Sequence, residues 1–344
     1  MQAFDSYEDL ISHLEEKGHD TYALGYAPDG APIVCVKAGG EKGPAILISA
    51  GSHATEQAGV TAAVLLLEQL ESDHPIFVIP CRDPIGLNGF AYALSLGIGE
   101  EPELDSIDNV NELLTTYGEV LYQQDDTLLV LIGEYGYANC GLYGRFKKGE
   151  AFLEPLKGRR IFFPSRTEGI EGTGFCQRAY TLIVSPEGEV LHINRFHDTS
   201  WAPVESRSVR DVMADIKPGL TLDLHEHEGN AFWFSARHQK NEADEQWEKQ
   251  MADRMIKAVA DSGQALASEA YLPGSFFTRG ERGVYWLHAQ KRGEGLNLAD
   301  FAASEYGPSF TIETGMLTGF ENRVKTSMLA AQTAVEVFES RYAQ

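Results

Sequence analysis

A histidine and a glutamate stand three positions apart in the stretch "LISAGSHATEQAG", as His53 and Glu56, where an apolar run gives way to a small-residue turn. Imidazole nitrogens and carboxylate oxygens are ligands for a divalent metal. Two imidazoles with one carboxylate leave a zinc ion a fourth position for water, the arrangement of a hydrolytic site. Two later apolar runs end in such groups: "LTLDLHEHEG" runs into His225, and "PSFTIETG" reaches Glu313. A carboxylate that does not bind the metal is then needed to take the proton from water, and Glu313 suits that part. If "DLHEHE" is extended, Asp223, His225 and His227 point to one face, so His227 is a rival ligand or a partner for a second metal.

These groups act together only if their strands end side by side. "PAILISAG" and "HPIFVIPCRDP" are near-continuous apolar runs suited to strands covered on both faces, and "AGVTAAVLLLEQL" between them has helical spacing. Strand, helix, strand implies a crossover and a largely parallel sheet, in which functional groups gather at the carboxyl ends of the strands. Upstream, "SYED" predicts a capping box opening a helix over 6–17, and a "PDG" turn separates two short strands, "TYALGYA" and "PIVCVKAG". Downstream, "AYTLIVSPEGEVLHINRF" predicts two strands about a "PEG" turn. "NEADEQWEKQMADRMIKAVADSG" and "ENRVKTSMLAAQTAVEVFESRY" predict long helices. The pattern loosens from about 92 to 177, which holds the acidic run "GEEPELDSIDNVNELL" and the basic run "RFKKGEAFLEPLKGRR". The expectation is one α/β catalytic domain over 1–344, with a mixed, mostly parallel twisted sheet, helices on both faces, and an insertion at about 92–177.

With 28 basic and 51 acidic residues the formal charge is −23, which repels phosphate backbones and anionic lipid and argues against nucleic-acid and membrane partners. Cys35, Cys81, Cys140 and Cys176 have no C-x-x-C spacing, so neither a thiolate zinc cluster nor a disulfide framework is expected. Acids stand in "MQAFDSYEDLISHLEEKG" where a secretion signal carries basic and apolar residues, and no run reaches about 18 apolar residues. A cytoplasmic location is the expectation.

The ordered set "HATE", "INRF", "LDLHE" and "FTIETG" resembles the zinc metallocarboxypeptidases and their relatives in the aspartoacylase and succinylglutamate desuccinylase branch, over about residues 22–316. The resemblance implies one Zn2+ per chain on His53, Glu56 and His225, with His225 preferred over His227. It implies Glu313 as general base and later proton donor, and Asn194 with Arg195 as the grip on a substrate carboxylate. Arg178, in "FCQRAY", falls near the arginine that polarises the scissile carbonyl; the family's mobile tyrosine has no clean counterpart, and Tyr285, in "GVYWLHAQ", is the nearest match, with an ordinary core or loop tyrosine as the alternative. This sequence departs from the pattern at Thr55, where relatives often carry arginine or asparagine, and at His192, where an aspartate commonly precedes the N-R pair. The function expected is a zinc-dependent hydrolase acting on an amide bond beside a free carboxylate, most simply a carboxypeptidase with a peptide substrate. The alternatives are an N-acyl amino acid deacylase on the same core and a non-catalytic metal-binding scaffold.

Overall fold

The computed structural model describes residues 3–165, 178–239, 241–287 and 295–343. Nine strands form the main sheet. Across it lie Thr21–Tyr26, Pro32–Gly39, Pro75–Ile79, Ile46–Ala50, Leu220–His227, Ser309–Gly315, Trp233–Ala236, Val284–Leu287 and Phe277–Arg279. The sheet is mixed. Its centre, from Pro75–Ile79 to Ser309–Gly315, is parallel, and antiparallel pairings flank that centre on both sides.

The central strands are apolar throughout because both faces are covered. Along Ile46–Ala50, the residues Ile46, Ile48 and Ala50 pack with the helices Gln57–Gln69 and Phe320–Ser340. Leu47, pointing the other way, packs with Val209 and Met213 of the helix Val204–Ile216 and with Phe301 of Leu298–Glu305. The first helix is Tyr7–Glu16, and Ser6 caps it by accepting from the Asp9 backbone N–H at 3.0 Å.

Two glycines let the chain turn into the crossover. Gly51 has φ +61°, and a Cβ there would meet the Cys81 Cα at 2.9 Å. Gly59 lets the helix Gln57–Gln69 approach the Leu224 carbonyl, which a Cβ would meet at 3.0 Å.

A second sheet of six strands occupies the segment where the sequence pattern loosens. In spatial order it comprises Val190–His192, Ala179–Val184, Arg160–Pro164, Tyr135–Ala138, Thr127–Ile132 and Glu119–Gln124. All its pairings are antiparallel except Tyr135–Ala138 with Arg160–Pro164. This sheet runs past residue 177. The "PEG" hairpin closes it, since Arg160–Pro164 pairs with Ala179–Val184. The acidic run becomes the helix Ile107–Tyr117, capped by Ser106 and anchored through Val110 and Leu114.

The loop leaving Pro75–Ile79 carries a buried acid, Asp83, that caps the short helix Pro84–Asn88 by accepting from the Gly86 N–H at 3.0 Å. Burial pushes its carboxyl up to about 7. Below about pH 4 the group is protonated in folded and unfolded chains alike, and its full contribution to stability is present. That contribution is lost as the pH rises towards 7, because only the unfolded chain releases the proton easily. Asp83→Asn keeps the cap acceptor and removes the titration. The stability of the parent relative to this variant is expected to fall by on the order of a few kcal/mol between pH 4 and 7. Paired urea titrations at several pH values check this, and a difference that stays flat with pH contradicts it.

Candidate metal centre

Three segments deliver the site. After Ile46–Ala50 the chain turns so that the Glu56 N–H bonds the His53 carbonyl at 3.0 Å, and Glu56 becomes the residue before the helix Gln57–Gln69. This turn sets the His53 Nδ1 2.7 Å from Glu56 Oε1. His225 comes from the neighbouring parallel strand and places its Nδ1 2.8 Å from Glu56 Oε2. One ligand atom from each of His53, Glu56 and His225 falls within 4.8 Å of the others, and these are the residues that group as a metal site among the described ones.

The fit to a metal rests on the far nitrogen of His225. Its Nε2 lies 2.8 Å from Asp223 Oδ2 and 3.2 Å from the Asn194 amide nitrogen. A carboxylate on one imidazole nitrogen fixes the tautomer and leaves the other as a ligand, a common outer support for metal-binding histidines. For Asp223 burial alone would raise the pKa, but Arg82 and His225 hold the carboxyl well below the ordinary range. Burial acts in the same sense on Glu56, and His53 with His225 overrides it to keep the carboxyl ionised. Burial lowers His53, favouring the neutral imidazole that a metal needs. Two imidazoles and a carboxylate, with two of them preset as ligands, suit zinc.

Beneath this cluster lies a buried network the sequence did not announce. The Arg82 Nη2 donates to both Asp223 oxygens, at 3.0 and 3.2 Å, and Nη1 donates to Asn194 Oδ1 at 3.2 Å. His197 is fully buried with Nε2 3.2 Å from Arg82 Nη1. The available signal was an arginine directly after the core strand "PIFVIP" and its following cysteine, and an aspartate two before His225 on the same strand face.

Glu313 pairs in register with His225 on adjacent parallel strands, so the two side chains share a sheet face. Its Oε2 has no hydrogen-bond partner among the described residues, and burial raises its carboxyl above the ordinary range. Glu313, His53, His225 and Arg195 line one cavity of about 470 Å³. Arg195 is the guanidinium among the described residues lining it, with its Nη1 on the Asn194 carbonyl at 3.1 Å. Another concavity of about 640 Å³, lined by Asp73 and Tyr342, shares no lining residue with this one.

Several sequence expectations are placed differently. Asn194 is 2% exposed, with its amide nitrogen donating to Asp223 and its oxygen accepting from Arg82 and the Leu298 N–H. It braces the Asp223 carboxylate behind His225, and it also lines the cavity that holds Arg195 and Glu313. Arg178 does not join the cluster. Its buried guanidinium donates to the Phe4 and Asp5 carbonyls and to Gln57, tying the N-terminal segment down. Tyr285 sits within the sheet, 2% exposed, with its hydroxyl on the Tyr271 carbonyl at 3.1 Å. Tyr271 and Tyr143 line the cavity instead. His227 bonds the Ala231 carbonyl through Nε2 at 2.6 Å and accepts from the Gly229 N–H at Nδ1, so both of its nitrogens serve the turn that follows. His192 packs its ring 4.7 Å from that of His53 and supplies no carboxylate there. Cys176 and His288 lie outside the described residues.

A scan of protein-family models and a search of curated proteins give no match. Solved structures do match. A protein of Shewanella denitrificans OS217 assigned as a metallopeptidase superposes with TM-score 0.51 at 13% identity, covering 97% of this chain and 88% of the other. A protein from the same organism assigned as a carboxypeptidase A gives 0.51 at 13%, covering 96% and 69%. A metallo-carboxypeptidase of Burkholderia cenocepacia gives 0.50 at 11%, covering 97% and 68%. The fold is metallocarboxypeptidase-like. At such identities the likeness speaks for architecture alone. Among the described residues no helix is long and apolar enough to cross a membrane.

Proposed function

We propose that the protein is a zinc-dependent hydrolase of the carboxypeptidase type, cleaving an amide bond beside a free carboxylate. One observation carries this reading: Glu313, which stands outside the His53, Glu56 and His225 group, shares a cavity with the two histidines of that group and with Arg195. When bound by two imidazoles and a carboxylate, zinc supplies a Lewis acid that makes water acidic enough to be deprotonated near neutral pH. Glu313 accepts the proton from the attacking water and later passes it to the leaving nitrogen. The half-buried Arg195 guanidinium offers parallel donors for the substrate's carboxylate, which places the scissile bond towards the metal group. Asp223, Asn194 and Arg82 keep His225 oriented while this happens. A scaffold that only binds metal has no use for a second carboxylate held out of the ligand set.

The test compares dipeptide substrates with their C-terminal amides. Hydrolysis should require the free acid, and Arg195→Ala should raise KM for the acid by about 10²-fold or more while shrinking the acid-to-amide ratio, because a charge-assisted pair is lost. Equal turnover of acids and amides by the parent would remove the carboxylate grip.

A further inference from the structure

A second cavity of about 290 Å³ adjoins the first, sharing Tyr143 and His227 with it, and Glu56 lines it. The second sheet forms one wall. Phe163 stacks on Tyr180 with ring centroids 5.1 Å apart, and Tyr180 stacks on His53 at 5.0 Å, so a tier of rings runs from that sheet to the metal group. Tyr143 closes edge-on against His192 at 3.9 Å, and Thr55 and Met316 lie among the facing groups.

The carboxylates around this chamber are of two kinds. Glu56 is committed to His53 and His225, and Glu226 is committed to the Ala58 N–H at 2.8 Å and to Arg323. Glu228 is exposed and lines the chamber, and among the described residues no lysine or arginine lines it.

With the carboxylate half of a substrate at Arg195, the acyl half extends past Glu56 towards the ring tier. We propose that the second-sheet chamber receives the acyl half and selects an aromatic or large apolar group, excluding acyl groups that carry a carboxylate of their own. This inference rests on the hydrolase reading above. Burying a ring against ring faces is favourable in proportion to the apolar area removed from water. An acyl carboxylate in the same place loses hydration against those rings and meets Glu228, with no lysine or arginine among the described lining residues to offset it. The chamber thereby separates peptide-like substrates from succinyl compounds, which the shared metal group alone would not.

The experiment measures binding apart from turnover. Zinc-loaded Glu313→Gln protein is titrated by calorimetry with paired N-acyl amino acids that differ only in a 3-phenylpropanoyl or a succinyl group, across leucine, phenylalanine, lysine and glutamate as the carboxylate half. The phenylpropanoyl member should bind at least about tenfold more tightly in the best-binding pair, as expected for one buried ring. Glu228→Lys, an exposed change, should cut that ratio by about fivefold or more by admitting the succinyl carboxylate. Parity, a succinyl preference, a ratio indifferent to Glu228→Lys, or no binding by any pair would each overturn the chamber assignment. If the ratio holds while the unsubstituted enzyme hydrolyses none of these compounds, the chamber assignment stands and the hydrolase reading fails.

Discussion

Glu313→Gln is expected to keep stoichiometric zinc and lose hydrolysis by at least about 10² to 10⁴-fold, the usual contribution of a positioned proton acceptor and donor. Among the described residues the side chain stands outside the metal group and its Oε2 has no hydrogen-bond partner, so the amide removes basicity without taking away a ligand. Gln occupies nearly the same volume, and the register with His225 is made by the backbone. His53→Ala supplies the contrast. It removes one of three ligands, so zinc measured by elemental analysis should fall below stoichiometry while the fold persists, because His53 sits in a turn outside the strands. Activity of Glu313→Gln within about threefold of the parent would mean that another group moves the proton, since loss of a true general base costs far more. Full zinc in His53→Ala would disprove the ligand set.

The strands that carry the site could be read from the sequence, because burial on both faces leaves a continuous apolar run and the polar interruption at its end marks the exit loop. His53 and Glu56 were visible together because a turn joins residues three apart. Placing His225 beside Glu313 requires strand register across long sequence separations, which periodicity does not encode. The misplacements share a cause. Arg178 and Tyr285 were assigned by likeness to a family's pattern, and such a likeness does not say which way a side chain turns. Arg178 meets carbonyls more than 170 positions away, at Phe4 and Asp5. Asn194 meets Arg82 and Asp223 and also lines the cavity. The second sheet was hidden for a related reason. Its hairpin about the "PEG" turn is local and legible, but its partner strand Arg160–Pro164 is the short run "RIFFP", which starts on the last residue of the basic segment and has no alternation to mark it.

Arg82→Met should destabilise the fold by about 3 to 5 kcal/mol, the range for breaking a buried ion pair from one side. Arg82 is 1% exposed and Asp223 is fully buried, so removing the guanidinium leaves the carboxylate without its main counter-charge, and Asn194 cannot replace it. The double variant Arg82→Met with Asp223→Asn removes both charges, and most of that loss should return, since replacing both partners of a buried pair is often close to neutral. Metal binding, which Arg82→Met leaves close to the parent's, should weaken in the double variant. An amide at position 223 would no longer supply the carboxylate that holds His225 Nε2, and loss of such an outer support lowers metal affinity by about 10 to 100-fold. Denaturant midpoints and zinc competition against a chelator, run on the parent, the single and the double variants, separate the two effects. If stability recovers and zinc affinity stays at the parent's in the double variant, the Asp223 carboxylate is not what orients His225. If Arg82→Met matches the parent to within about 1 kcal/mol, the pair contributes far less than a broken buried ion pair would. The stability loss and the affinity loss therefore belong to different bonds of the same aspartate, one to Arg82 and one to His225, and only the second reaches the metal.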